Sequence, residues 1–121
     1  MSQKKIVAIC CENSGFKAAQ SIRDSAAMKS VTVLKVPCAG NVEVGGILTH
    51  FEEGADKVLV LGCPLENCKY LRGSRRALKR VAVARQALKD AGLEETRLRI
   101  ELISSVDDYK LTGILKEMQK E

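Results

Sequence analysis

Residues 57–68 are Lys57-Val-Leu-Val-Leu-Gly-Cys-Pro-Leu-Glu-Asn-Cys68. The run Lys57–Leu61 is apolar and rich in residues that favour β structure, so it predicts a strand buried on both faces, and Pro64 ends that strand. Two thiols, those of Cys63 and Cys68, therefore lie in a tight loop at the end of a buried strand. In a chain without disulfides, thiols placed in this way usually bind a soft metal such as iron or zinc.

Strand patterns alternate with helix patterns on both sides of this stretch. The predicted strands are Ile6–Cys10, Val31–Val36, Lys57–Leu61 and Arg97–Ile103. The predicted helices are Phe16–Met28, Val42–Glu53, Gly73–Ala91 and a last one that begins at Ser105 or Asp107 and ends near Lys120. This alternation predicts βαβ units with right-handed crossovers. We therefore expect an α/β fold, with an open parallel four-stranded sheet and helices on both faces, of flavodoxin-like or Rossmann-like type.

The composition is that of an ordinary globular protein. The 121 residues suit one domain spanning residues 1–121, and 45% are hydrophobic and 29% charged. The apolar run near the N-terminus, Ile6–Cys11, is too short for a signal-peptide core with its cleavage site or for a membrane span. We therefore expect a cytoplasmic protein without membrane insertion. In that compartment the five cysteines are more often free thiols, metal ligands or redox groups than disulfides.

Four of the cysteines follow predicted strands. Cys11, Cys38 and Cys63 come after the first three strands, and Cys68 closes the loop after Cys63. The carboxyl ends of parallel strands lie at one edge of a sheet, where ligands bind, and in the order 2-1-3-4 these three strands are neighbours. We therefore expect the four sulfurs to meet. Cys10 points to the opposite face from Cys11 and is interpreted as a small buried hydrophobic residue, although a frayed strand end could exchange the two roles.

The spacing favours an iron–sulfur cluster over zinc only modestly. Structural zinc sites usually contain close ligand pairs, and here the pair formed by Cys63 and Cys68 alone has such a spacing. Iron–sulfur sites accept ligands spread along the chain and also use the Cys-x4-Cys spacing. Zinc binding and a set of metal-free buried thiols both stay open at this point.

Several motifs together resemble the delta subunit family of methyl-viologen-reducing hydrogenase. They are Cys11-Glu-Asn-Ser14, Pro37-Cys-Ala-Gly40, Glu53-Gly-Ala-Asp56 with Val58–Val60 behind it, Gly62-Cys63 to Cys68, and Tyr70 with Gly73. The resemblance extends from about Ile6 to Ser105. The chain departs from many members at Ser14, Lys69 and Ser74, where a second cysteine, a histidine and an asparagine are common.

The resemblance implies a [2Fe–2S] cluster bound by Cys11, Cys38, Cys63 and Cys68. It also implies a role in relaying electrons between a partner oxidoreductase, such as a hydrogenase or formate dehydrogenase, and a heterodisulfide-reductase-like flavin or iron–sulfur subunit. A protein of this kind belongs to a hetero-oligomer, has no catalytic residue and makes no bonds of its own. The alternative is a zinc-bound or metal-free structural or regulatory subunit of such a complex.

Other functions have weaker support in the sequence. The Cys-x-x-Cys motif of thioredoxins is missing, and the loop from Cys63 to Cys68 lacks the glycines and the closing arginine of an anion-binding catalytic cysteine loop. The formal net charge is +5, and the third helix carries much of the excess. Such a run is either a solvated face or a docking face for an acidic redox partner. Only 3% of residues are aromatic, so we expect no binding of nucleic acid.

Overall fold

The computed structural model describes residues 5–64 and 73–120. In these ranges the strands are β1 (Ile6–Cys11), β2 (Val31–Val36), β3 (Lys57–Gly62) and β4 (Leu98–Leu102). The helices are α1 (Gly15–Ser21), α2 (Val44–Glu52), α3 (Gly73–Asp90) and α4 (Asp108–Lys120). Residues 65–72, which include Cys68 and Lys69, lie outside the described ranges.

The four strands form one parallel sheet in the order β2-β1-β3-β4. The expected open parallel sheet of an α/β fold is thus confirmed. β1 and β3 occupy its centre, and every residue of both strands is buried, as their continuous apolar sequences predict. Cys10 pairs with Leu61 across these strands, so the ends of β1 and β3 lie side by side.

Alternate residues of the central strands face two separate cores. Ile6, Ala8 and Cys10 share one core with buried residues of α1 and α4. Val7 and Ile9 share the other with buried residues of α2 and α3. Helices therefore cover both faces, as predicted. Each helix turns only one side to the sheet, and in the described part of the chain none has the length and apolar character needed to cross a membrane.

The first helix is shorter than the predicted Phe16–Met28. It ends at Ser21, and a separate 3-10 turn forms at Ala26–Met28. Bonds of the tighter three-residue type, such as Ile22 N–H to the Ala19 carbonyl at 3.2 Å, close the last turn of the helix. The Ser25 hydroxyl then accepts the Ala27 N–H at 3.1 Å. Because a serine side chain offers the backbone this local partner, it competes with continuation of the helix.

The ends of the other helices agree closely with the expectation. Gly54 and Gly92 follow α2 and α3, with φ angles of 105° and 82°. This left-handed conformation is strained for residues with a side chain, and it is why glycine commonly ends a helix. The two turns direct the chain back into β3 and towards β4.

Candidate metal centre

Three of the predicted ligands come together at the carboxyl edge of the sheet. Cys11 ends β1, Cys38 lies just after β2 and Cys63 follows β3 directly. They form a cluster of their own, apart from the two cores, with exposures of 1%, 6% and 5%. The sulfurs of Cys11 and Cys63 are 3.5 Å apart. Convergence of these three side chains is what the strand ends predicted, whereas Cys68 lies outside the described residues.

Cys10 is separated from this cluster. Its side chain lies in the core beneath α1 and α4 and is fully buried there. Its thiol donates a weak hydrogen bond to the Ala8 carbonyl at 3.7 Å. Burial, followed by the neighbouring Cys11, raises the pKa of the Cys10 thiol to about 12. The structure therefore places Cys10 as a small core residue and Cys11 as the member of the cluster.

The backbone around Cys38 turns a donor towards sulfur. The Gly40 N–H donates to the Cys38 sulfur at 3.3 Å, within a 3-10 turn at Ala39–Asn41. Such hydrogen bonds stabilise negative charge on a metal-bound sulfur and so affect its redox potential. The turn after Cys11 differs from this expectation, because its Ser14 N–H bonds to the Cys11 carbonyl instead.

Helix α3 links the loops that contain Cys38 and Cys63. The Ser74 hydroxyl donates to the Cys63 carbonyl at 2.7 Å, in a buried position. Nη1 of Arg80 donates to the carbonyls of Gly40 and Val42, at 2.7 and 2.8 Å. The start of α3 therefore fixes two of the cysteine loops relative to each other.

Sequence reasoning did not identify either side chain as part of this link. Arg80 was one of several charges on the third helix, yet it stands three residues after Ala77 and four before Ala84, which are both buried. A cation at this spacing lies on the sheet-facing side of the helix, which is a signal that it has a partner there. Ser74 offered no such signal, because small buried residues are common where a helix starts.

Ser74→Ala is expected to lower the free energy of unfolding by about 1 kcal/mol, because it removes one buried hydrogen bond and little volume. Ser21→Ala is the matched control, since the Ser21 hydroxyl also bonds to a carbonyl at 2.7 Å but sits on an exposed helix end. Urea unfolding of both variants measures the difference. Equal stability of the two would show that the Ser74 bond contributes nothing to the cysteine edge.

The donor set fits a thiolate-bound metal or cluster. Beside the three thiols, Nδ2 of Asn13 and the hydroxyl of Ser14 are buried and have no hydrogen-bond partner in the described ranges, so polar groups remain available next to Cys11. All the cysteines in those ranges are free thiols. Among the described residues, no three ligand side chains already surround one point at metal-binding positions. A complete site therefore requires a further ligand, and Cys68 is the predicted one.

Comparison with known proteins gives one consistent result. The family model for the delta subunit of methyl-viologen-reducing hydrogenase matches residues 6–121. The iron-sulfur subunit of the vhu F420-non-reducing hydrogenase from Methanopyrus kandleri is 34% identical, with 99% of this chain and 93% of that protein covered. The iron-sulfur subunit of the F420-non-reducing hydrogenase from Archaeoglobus profundus is 36% identical, with 95% and 85% covered.

A third relative is a much larger protein. It belongs to the ferredoxin/F420H2-dependent CoB-CoM heterodisulfide reductase from Methanosarcina acetivorans and is 32% identical over 92 residues. The match covers 76% of this chain but 12% of that protein, which we call the large heterodisulfide reductase subunit. The family expected from the cysteine motifs is confirmed: the chain belongs to the methyl-viologen-reducing hydrogenase delta subunit family.

Proposed function

We propose that this chain is a small electron-transfer subunit that binds a [2Fe–2S] cluster through Cys11, Cys38, Cys63 and Cys68. The observation that carries the proposal is the buried cluster of three strand-end thiols. It lies at the edge where open parallel sheets bind their ligands. Thiolates are the usual ligands of iron–sulfur clusters, and family membership supports the same chemistry.

In this proposal the residues of the chain bind and tune, and they perform no bond-making step. When bound, the cluster accepts and releases one electron at a time. The cysteine sulfurs hold it, and the Gly40 N–H stabilises the charge on the Cys38 sulfur. Burial of the three thiols keeps water away from the site. The Asn13 amide nitrogen is a further donor next to Cys11, buried and without a partner among the described residues.

The partner in the proposal is a protein like the large heterodisulfide reductase subunit, within a cytoplasmic hetero-oligomer. Similar sequences occur as a separate hydrogenase subunit in one relative and inside the chain of the large heterodisulfide reductase subunit in another. Two units that are joined covalently in one protein have to lie side by side there. The separate chain is therefore expected to contact a large heterodisulfide reductase subunit of its own organism, with a hydrogenase or formate dehydrogenase subunit as the other redox partner.

Anaerobic purification, iron and zinc analysis and a visible spectrum test the cluster. We expect about two iron atoms per chain and a brown colour that dithionite bleaches. About four iron atoms per chain would refute the [2Fe–2S] type. A colourless protein with one zinc atom would refute electron transfer and support the alternative of a zinc-bound structural subunit.

Alanine variants of the cysteines test the ligands. Cys11→Ala, Cys38→Ala, Cys63→Ala and Cys68→Ala should each lose most of the iron, because each removes a thiolate. Cys10→Ala is the matched control and should keep the iron, since its side chain lies in the core on the other face of β1. Full iron retention in Cys68→Ala would refute the fourth ligand, and loss in Cys10→Ala would reverse the assignment at β1.

A further inference from the structure

We propose that the first turns of α3 form a docking surface for an acidic face of the partner protein. We call this surface the α3 basic patch and define it as Arg75, Arg76 and Lys79. These three exposed side chains and Leu78 line a surface depression of about 610 Å³. The inference rests on the proposed function, because it assigns the surface through which that function would engage its partner.

The charge of the patch is not neutralised within the described part of the chain. None of its three cations has a carboxylate partner there. The sequence of α3 contains no acidic residue before Asp90. The N-terminal end of a helix also carries a partial positive charge, which adds to the same potential. The surface therefore attracts negative charge.

Other arginines of the fold have partners. Arg80 bonds to two backbone carbonyls, and Arg85 donates to the Glu95 carbonyl at 3.3 Å. Arg99 bonds to Glu101 and Glu117 at 2.8 and 2.7 Å. These cations stabilise the fold, whereas those of the patch make no such contact within the described ranges. Packing and stability thus do not account for the patch.

The patch lies beside the cysteine edge. Ser74, whose hydroxyl bonds to the Cys63 carbonyl, immediately precedes Arg75. A partner held by the patch is therefore held near the proposed electron site, which electron transfer between proteins requires. Charged patches of this kind accelerate the encounter of two proteins and select the complementary surface.

The character of the patch fits a protein better than a nucleic acid. Leu78 is 37% exposed between the cations, and arginine around an apolar residue is typical of protein interfaces. The described residues that line the depression include no aromatic side chain on which a base could stack. We therefore assign the patch to an acidic protein surface with a small apolar centre.

The test compares two triple variants that lose the same charge. The patch variant is Arg75→Gln/Arg76→Gln/Lys79→Gln. The control is Lys89→Gln/Lys116→Gln/Lys120→Gln, which changes exposed lysines at the other end of α3 and in the second half of α4. Binding of each anaerobically prepared protein to the purified large heterodisulfide reductase subunit of the same organism is measured by interferometry. Measurements at about 50 mM and about 300 mM NaCl separate screened from unscreened attraction.

We expect the patch variant to bind about tenfold more weakly at low salt, and the control to stay within about twofold of wild type. Wild-type binding should weaken with salt, and that of the patch variant should weaken much less. Equal losses in both variants, an unchanged affinity of the patch variant, or no binding by wild type would overturn the proposal. Selective loss of affinity for a DNA duplex of about 20 base pairs, with binding to the reductase subunit unchanged, would overturn it in favour of nucleic acid.

Iron content separates this inference from the proposed function. Both triple variants should keep the iron content and visible spectrum of wild type, because none of the six residues belongs to the cysteine cluster. An iron-free wild-type protein would refute the proposed function. The binding measurements would then still decide whether the patch docks an acidic protein.

Discussion

Gly40→Ala is expected to destabilise the protein by about 3 kcal/mol and to disrupt the loop that carries Cys38. A Cβ atom at position 40 would lie 2.8 Å from the Cα atom of Gly73 and 3.1 Å from its carbonyl oxygen. Both are backbone atoms, so no side-chain rotation relieves the overlap. The loop must move away from α3, and the bonds from Arg80 to the Gly40 and Val42 carbonyls would stretch.

Gly113→Ala is the matched control for this substitution. Gly113 lies within α4, and nothing stands within 4 Å of the position that its Cβ atom would take. Replacing a glycine inside a helix with alanine stabilises by about 0.5–1 kcal/mol. Urea unfolding of both variants should therefore show changes of opposite sign, and reconstitution should leave Gly40→Ala with less iron. Equal stability of the two variants would contradict the close approach of the Cys38 loop to α3.

The features predicted correctly from the sequence have a simple periodic signal. Apolar runs mark β1 and β3 because both faces of these strands are buried. The two-residue period of a strand separates Cys10 from Cys11, which lie in different clusters. Strand ends then bring Cys11, Cys38 and Cys63 to one edge, since all the strands are parallel. These deductions need only local patterns and one topological rule.

The features that were not predicted depend on contacts between distant segments. Contact between Gly40 and Gly73 requires α3 to pass directly over the Cys38 loop, and no local pattern encodes that distance. The partners of Arg80 are backbone carbonyls, which leave no trace in the sequence. The early end of α1 reflects a serine that bonds locally at Ser25, and this competition outweighed the helical spacing of apolar residues from Ala18 to Ala26.

Arg80→Met is expected to destabilise the protein by about 2 kcal/mol, because hydrogen bonds from a charged group contribute more than neutral ones. Methionine keeps most of the aliphatic length and removes the guanidinium group. The carbonyls of Gly40 and Val42 then lose the donor that connects them to α3. Since the same loop carries Cys38, we also expect the variant to release iron to a chelator faster than wild type.

Arg85→Met is the control for loss of an arginine from the same helix. Nε of Arg85 makes a longer bond of 3.3 Å to the Glu95 carbonyl, in an exposed position. Its replacement should change stability by no more than about 0.5 kcal/mol. If both variants lost the same stability, the contribution of Arg80 would come from its charge on α3 and not from its two bonds. A stability loss in Arg80→Met with unchanged iron release would show instead that the Cys38 loop keeps its position without α3.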